Sequence, residues 1–291
     1  MRPHRRPLTF AVSTVVAIIA AGGLTACEPP PDTYVALGDS FVAGPLIPEQ
    51  QDDPLGCLRS TNNYPRLISG NLASTKFTDV SCSGARTDHM FEAQNVEPGP
   101  ANPPQLEALD RQTKIVTLGI GGNDIGFSEI VTRCATALPT MGCASQYTAD
   151  GGDELSDRIA AAAPKVAAVL TAIGERAPRA ETFVIGYPTV LPETGLGCYP
   201  VVPVLPEDVP YLREKVKELN RMLRTQAKAA GATYVDIATP SIGRDFCALP
   251  GTKWVEGVFP NSVAAPVHPN ADGMRGFATP IAASINRVVP G

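Results

Sequence analysis

Histidine is scarce in this chain. There are three in 291 residues, and His4 falls in the amino-terminal leader, so only His89 and His268 remain. A zinc site built on several imidazoles has almost no ligands to draw on, and any imidazole base must be one of those two. The seven cysteines include no C-x-x-C pair, which removes support for a zinc ribbon or a thioredoxin-like redox site. Positive charge is short as well. The leader carries three of the 24 basic residues and none of the 29 acidic ones, leaving 21 against 29, a net charge of −8. That balance argues against nucleic acid as a partner and leaves any membrane attachment to a lipid rather than a basic face. With 44% hydrophobic and 18% charged residues, the chain belongs to neither the disordered nor the coiled-coil class.

What is present begins with a leader. Arg2, Arg5 and Arg6 precede an apolar run from Leu8 to Leu24 that is too short and too rich in small residues for a membrane span. Residues 1–26 therefore read as an export signal. Arg5-Arg6-Pro7-Leu8 fits a twin-arginine signal and a Sec signal alike. Leu24-Thr25-Ala26-Cys27 resembles a bacterial lipobox, in which the cysteine is lipidated and becomes the first residue; plain cleavage near Ala26 is the alternative. Setting Cys27 aside leaves Cys57, Cys82, Cys134, Cys143, Cys198 and Cys247. Six cysteines can close three bridges in an oxidising compartment, and about 15 pairings are open. The expected destination is outside the cytoplasm, either lipid-anchored in the cell envelope or secreted.

Beyond a Pro-rich tether, residues 27–32, no domain boundary or internal repeat is visible, and residues 33–291 are expected to form one domain. Short apolar runs read as strands at Tyr34 to Leu37, Phe77 to Ser81, Ile115 to Leu118, Thr182 to Ile185 and Thr233 to Ile237. Their β-branched and aromatic content suits strands buried on both faces. Helical patterns lie between them, at Tyr64 to Ala73, Asp153 to Ala177 and Asp208 to Ala230. In the last, Val209, Leu212, Val216, Leu219 and Leu223 share one face. A final helix is expected after Pro269, with the proline in its first turn. Residues 133–152 and 188–206 read as long loops, either a substrate rim or plain surface. Alternation of strand and helix argues for an α/β fold, a five-stranded parallel sheet between two helical layers, with any site at the carboxyl ends of the strands.

Polar residues gather at those ends. Gly38-Asp39-Ser40 follows the first strand, Ser81-Cys82-Ser83-Gly84-Ala85 the second, and Gly119-Ile120-Gly121-Gly122-Asn123-Asp124 the third. A serine hydroxyl becomes a nucleophile when a neighbouring base takes its proton, so Ser and His are the minimal pair for acyl transfer. Glycine N–H groups and an asparagine amide are the donors such chemistry needs where an oxyanion develops. Asp124 occupies the third glycine position of a dinucleotide fingerprint, so that reading fails. The G-x-S-x-G elbow is also absent.

Four segments, in order and spanning nearly the whole chain after the leader, give the sequence its resemblance. They are Gly38-Asp39-Ser40, Gly84, Gly121-Gly122-Asn123-Asp124 and His268-Pro269-Asn270. The chain resembles the SGNH (GDSL) hydrolase family, most closely its exported actinobacterial lipase and esterase branch. The resemblance implies a three-layer αβα sandwich of SGNH, flavodoxin-like form. It implies Ser40 as nucleophile, His268 as base and then acid, and an oxyanion hole made by the N–H groups of Ser40 and Gly84 with the Asn123 amide. It also implies the pairs Cys57–Cys82, Cys134–Cys143 and Cys198–Cys247, a monomer, an ester or lipid substrate, and no metal or organic cofactor. His89 is then a structural or rim residue.

One position departs from the pattern. The family has an acid three residues before its histidine, and here that residue is Ala265. A Ser-His dyad, with a backbone carbonyl orienting the ring, is the expectation; Asp272 is a substitute of lower rank. The missing acid keeps open a binding lipoprotein that retains the fold without turnover; a third reading is an acyltransferase, which would use the same residues as the hydrolase. Phe41-Val42-Ala43 and Val201-Val202-Pro203-Val204 are candidates for an acyl pocket, core packing being the alternative.

Overall fold

Tyr34 to Leu37 have nothing to expose, and all four are fully buried at the centre of a sheet. The computed structural model describes Met1 and residues 33–72, 76–135, 142–149 and 151–289. Apart from Met1, the expected export signal, Cys27 and the tether lie outside the described residues. Five strands, β1 (Thr33–Gly38), β2 (Lys76–Asp79), β3 (Thr113–Gly119), β4 (Glu181–Ile185) and β5 (Thr233–Val235), form one parallel sheet in the order β2-β1-β3-β4-β5. Because both faces of β1 and β3 are covered, these strands are continuous apolar runs instead of alternating ones. The buried Tyr34 hydroxyl is satisfied by Thr117 on β3 at 2.9 Å.

The described helices are α1 (Ser40–Ala43), α2 (Tyr64–Ser69), α3 (Phe127–Cys134), α4 (Cys143–Tyr147), α5 (Glu154–Arg176), α6 (Val209–Ala229) and α7 (Ala271–Val288). The α5–α6 pair packs together, as does the α2–α7 pair, giving the helical layers expected over the sheet. No helix among the described residues is long and apolar enough to cross a membrane. The strand order reverses direction between β1 and β3, since the chain first moves outward to β2 and then back past β1. That switch point opens a crevice at the carboxyl ends.

Several boundaries differ from the sequence expectation, three of them because a side chain captures the backbone. β2 stops at Asp79 rather than Ser81, since Asp79 accepts both the N–H and the hydroxyl of Ser81, at 3.0 and 2.7 Å. β5 ends at Val235 rather than Ile237, because Asp236 accepts from the N–H groups of Ala238 and Thr239 and starts a tight turn. α2 closes at Gly70 instead of running to Ala73, which itself lies outside the described residues. α7 starts on Asn270, whose side chain accepts from Gly273 N–H, so Pro269 precedes the helix and takes no part in its first turn. Residues 133–152 are not loop throughout, because α3 runs to Cys134 and α4 begins at Cys143. Disulfides join Cys57 to Cys82, Cys134 to Cys143 and Cys198 to Cys247.

Candidate active site

Gly38 leaves β1 through a gap that admits no side chain. A Cβ there would lie 2.3 Å from Val42 Cγ2 and 2.6 Å from the Gly119 carbonyl oxygen. Gln105 holds the same residue from outside the strand, accepting Gly38 N–H at 2.7 Å and donating to its carbonyl at 2.9 Å. Asp39 then caps α1, with Oδ1 accepting from Phe41 N–H at 2.9 Å. Ser40 is the first residue of that helix, and it is buried.

The imidazole of His268 reaches it from the other end of the chain. His268 Nε2 lies 2.8 Å from Ser40 Oγ, and Nδ1 lies 2.7 Å from the Pro266 carbonyl oxygen. A carbonyl can only accept, so the ring proton sits on Nδ1 and Nε2 is left as acceptor for the serine hydroxyl. Burial pushes the imidazole pKa below its usual value, and the Pro266 bond opposes that shift. At neutral pH the ring is therefore the neutral species a base requires.

The carbonyl is brought to the ring by an uncommon backbone. Val267 has φ 57°, a left-handed conformation that a β-branched residue seldom adopts and that neighbouring contacts must hold. Val267 N–H donates to Gly257 O at 3.1 Å, Ala265 N–H to Pro45 O at 3.0 Å, and Glu256 N–H to His268 O at 2.9 Å. Asp272 has no part in this. It is exposed and engaged by Arg275.

The other candidate residues arrive from β2 and β3. Asn123 donates one Nδ2 hydrogen to Ala85 O at 2.8 Å, which fixes the amide and leaves the second hydrogen free. Asn123 lines one small concavity with Ser40, His268, Gly122 and Tyr187. Gly84 lies in the same loop as Ala85 but does not line that concavity. Among the described residues, neither Gly84 N–H nor Ser40 N–H has a hydrogen-bond partner. His89 stands apart, its Nδ1 accepting Arg86 N–H at 3.0 Å. Asp124 joins the β3 loop to Thr87, whose N–H reaches Oδ2 at 3.1 Å. No cluster of metal-ligating side chains occurs among the described residues.

Tyr187 is a residue that sequence reasoning missed. Gly122 N–H donates to its hydroxyl at 2.7 Å, and that hydroxyl donates to Asp39 Oδ2 at 2.5 Å. One phenol thus ties the loop carrying Asn123 to the cap of the helix carrying Ser40. Burial raises the Asp39 carboxyl to about 7 in spite of the bonds from Tyr187 and Phe41. A Cβ on Gly122 would lie 2.9 Å from the Tyr187 oxygen, so the contact depends on glycine. Tyr187 follows β4 by two positions, at the same sheet edge as the other site residues. That placement is the signal that would have found it.

Beside the concavity lies an apolar cavity of about 60 Å³. Phe41, Phe127 and Tyr187 line both. Val202, Val204, Phe246 and Val267 form more of its wall, and Val216 and Leu219 bring α6 to it. Lys215 also lines it. Its stem is buried and its ammonium is held by Asp153 at 2.5 Å, Ser156 at 2.6 Å and Glu218 at 3.0 Å.

Residues 36–275 match the GDSL-like Lipase/Acylhydrolase family. Lipase 2 of Streptomyces coelicolor is 39% identical over 94% of this chain and 95% of its own length. Among solved structures, the extracellular lipase of Streptomyces rimosus superposes with a TM-score of 0.69 at 27% identity, covering 87% of this chain and 99% of that one. Phospholipase A1 from Streptomyces albidoflavus superposes with a TM-score of 0.67 at 26% identity, again over 87% of this chain and 99% of that one.

The Tyr187 bridge is open to a direct test. Tyr187→Phe keeps the ring and its packing but leaves Gly122 N–H and Asp39 without their shared partner. Stability should fall by about 1–3 kcal/mol, and kcat by roughly ten- to a hundredfold through misplacement of the reacting groups, with KM for a soluble ester little changed. Urea unfolding and steady-state kinetics together check this. A loss confined to KM would refute the positioning role.

Proposed function

The chain belongs to the GDSL-like lipase/acylhydrolase family and is a carboxylic ester hydrolase; from that premise we propose that it works through an acyl-Ser40 intermediate with a Ser40–His268 dyad. His268 Nε2 takes the hydroxyl proton as Ser40 Oγ attacks the ester carbonyl. The tetrahedral oxyanion is held by Ser40 N–H, Gly84 N–H and the Asn123 amide. The carbon–oxygen bond to the alcohol then breaks, and the alcohol departs with the proton from His268. Water repeats the sequence on the acyl group, giving up its proton to His268 and freeing the acid and Ser40. The observation that carries the reading is the 2.8 Å contact between His268 Nε2 and Ser40 Oγ.

The Pro266 carbonyl takes the part of the missing acid. A neutral acceptor stabilises the imidazolium less than a carboxylate does, but it fixes the ring and the tautomer, which are the geometric share of that role. The absent carboxylate was the one feature favouring a binder without turnover, and the 2.7 Å bond from Nδ1 to Pro266 O weakens that case. The acyl chain of the substrate occupies the apolar cavity that begins at Phe41 and Phe127. The protein is exported, in keeping with the extracellular lipase it resembles, and anchored by a lipid on Cys27, a reading supported by the leader sequence.

Four results are expected. A fluorophosphonate probe should label Ser40, and Ser40→Ala should lose both labelling and at least about a thousandfold in kcat; labelled wild-type protein with the mark elsewhere would end the proposal. In the same protein the acid limb of kcat/KM should lie below 6.5, since burial lowers the His268 pKa from that value and activity falls only as the base becomes protonated. Val204→Phe, by filling the cavity, should shift preference toward short acyl chains by about tenfold in kcat/KM per few carbons excluded, read from a chain-length series of p-nitrophenyl esters. Mass spectrometry of the native amino-terminal peptide should find diacylglyceryl-Cys27; an unmodified Cys27 contradicts the anchor.

A further inference from the structure

A buried carboxylate stands beside the histidine loop, and the reaction steps make no use of it. Glu256 is fully buried, a place that a carboxylate holds only when its oxygens are hydrogen-bonded. Both are. Oε1 accepts from Asn270 Nδ2 at 2.7 Å, and Oε2 accepts the backbone N–H of Asn261 at 2.8 Å. The N–H of Glu256 itself donates to the His268 carbonyl at 2.9 Å. Lys253, also buried, meets the same loop asparagine from another side, donating to Asn261 Oδ1 at 3.2 Å.

These bonds make a clamp across one short loop. Residues 258–266 contain no charged side chain, and the loop is closed at its base, where Val267 N–H donates to Gly257 O at 3.1 Å. It carries Pro266, whose carbonyl orients the ring. Asn261 is exposed and lies well out along the loop, whereas Asn270 caps α7, its Oδ1 accepting Gly273 N–H at 2.9 Å. One side chain therefore joins the loop to the start of α7, and His268 lies between the two attachment points along the chain. The influences on the ring itself are burial and the Pro266 bond, so a carboxylate that serves this histidine does so through the loop.

We infer that Glu256 is a positioning residue for the reaction, a relocated acid that holds the Pro266 carbonyl against His268 Nδ1 instead of bonding the ring. The inference rests on the Ser40–His268 dyad proposed above. An orienting carbonyl that sits next to a left-handed Val267 needs restraint beyond the base of its loop, and an uncharged loop has few groups of its own to supply it. A carboxylate presents two acceptors and no donor. Its fork suits two N–H groups arriving from separate segments. Glutamine in its place would turn an NH2 toward one of them.

Glu256→Gln keeps the shape of the side chain and breaks one arm of the clamp. With p-nitrophenyl acetate, kcat per folded molecule should fall about ten- to a hundredfold, with KM within about twofold of the parent. Only His89 and His268 follow the leader, so nitrogen-isotope NMR of the histidine rings resolves the one that matters. The parent should show His268 as the Nδ1–H tautomer with a slowly exchanging proton, and the Gln protein a mixture of tautomers exchanging fast with solvent. Asn270→Asp should have the same effects, because it sets carboxylate against carboxylate. Glu256→Gln combined with Asn270→Asp reverses the donor across that contact and should regain at least about threefold in kcat over either single variant. Val169→Ala, in the buried face of α5, lowers Tm away from the loop and should leave kcat and the ring signals as they are. If the Gln protein does not fold, Asn261→Pro deletes the loop N–H alone at an exposed position, and the same losses are expected. Unchanged kcat in folded Glu256→Gln overturns the inference, as does a lowered kcat with the His268 signals intact. The spectra need no turnover, so failure of the dyad, seen as a parent that no fluorophosphonate labels, is told apart from failure of the clamp, seen as ring signals indifferent to residue 256.

Discussion

The turn out of β1 is the constraint on which the site depends. Its neighbours leave no room for a Cβ at residue 38: Val42 would stand 2.3 Å away and the Gly119 carbonyl 2.6 Å away. Glycine lets the ends of β1 and β3 close together, and the doubly wound topology makes that the place where the crevice opens. Gln105 seals the outer side with its pair of hydrogen bonds. The next two residues inherit the consequence. Asp39 can cap a helix and meet Tyr187, and Ser40 begins that helix with its hydroxyl toward the crevice where His268 arrives. A bulkier residue at 38 would move all of these groups at once, so their geometry is a single property of the turn.

The histidine is held by a different economy. Its loop has no carboxylate to offer, and a neutral carbonyl takes over the orienting bond. The cost appears in the backbone, where Val267 occupies the left-handed region at φ 57°. Such a conformation costs of order 1–3 kcal/mol and survives because hydrogen bonds from Ala265, Val267 and Glu256 fix the loop on both sides. The loop is fixed to α7 as well, since Asn270 donates to Lys253 O at 2.9 Å and to Glu256 Oε1 at 2.7 Å. Burial of the ring acts in the same direction. It keeps the imidazole neutral at rest, which suits a base whose cation no buried carboxylate would stabilise.

Much of this was legible in the sequence, for reasons that can be named. Strands buried on both faces have to be short apolar runs, and loops at their carboxyl ends collect polar groups, so the sheet followed from pattern; of the candidates named from the family blocks, Ser40, Asn123 and His268 share one concavity and Gly84 does not line it. What escaped were groups whose role comes from the fold alone. A carbonyl behind the histidine was expected, but Pro266 could not be named as its owner, because it acts through its main chain, which every residue possesses. Tyr187 and Gln105 are 148 and 67 residues from their partners in the Asp39–Tyr187 and Gly38–Gln105 bonds, and no local spacing links them. Two strand ends and one helix start were displaced where an Asp or Asn side chain bound the nearby backbone, at Asp79, Asp236 and Asn270, a competition that apolar periodicity does not register.

One helix can serve opposite surroundings. α6 presents Leu212, Val216 and Leu219 to the apolar cavity, and Arg213, Lys217 and Arg221 to a second, basic cavity of about 270 Å³, with Val216 shared between them. Lys215 is the exception on the apolar side, since a cation beside an apolar cavity would draw water into it if left unpaired. Its ammonium is withdrawn from the pocket onto Asp153, Ser156 and Glu218, and only the aliphatic stem contributes to the wall. Asp153 also caps α5 through Ser156 N–H and accepts from Tyr211. The side chain that keeps the pocket apolar is therefore tied to the start of the longest described helix. The apolar character of the cavity wall and the docking of α5 against α6 rest on the same few hydrogen bonds.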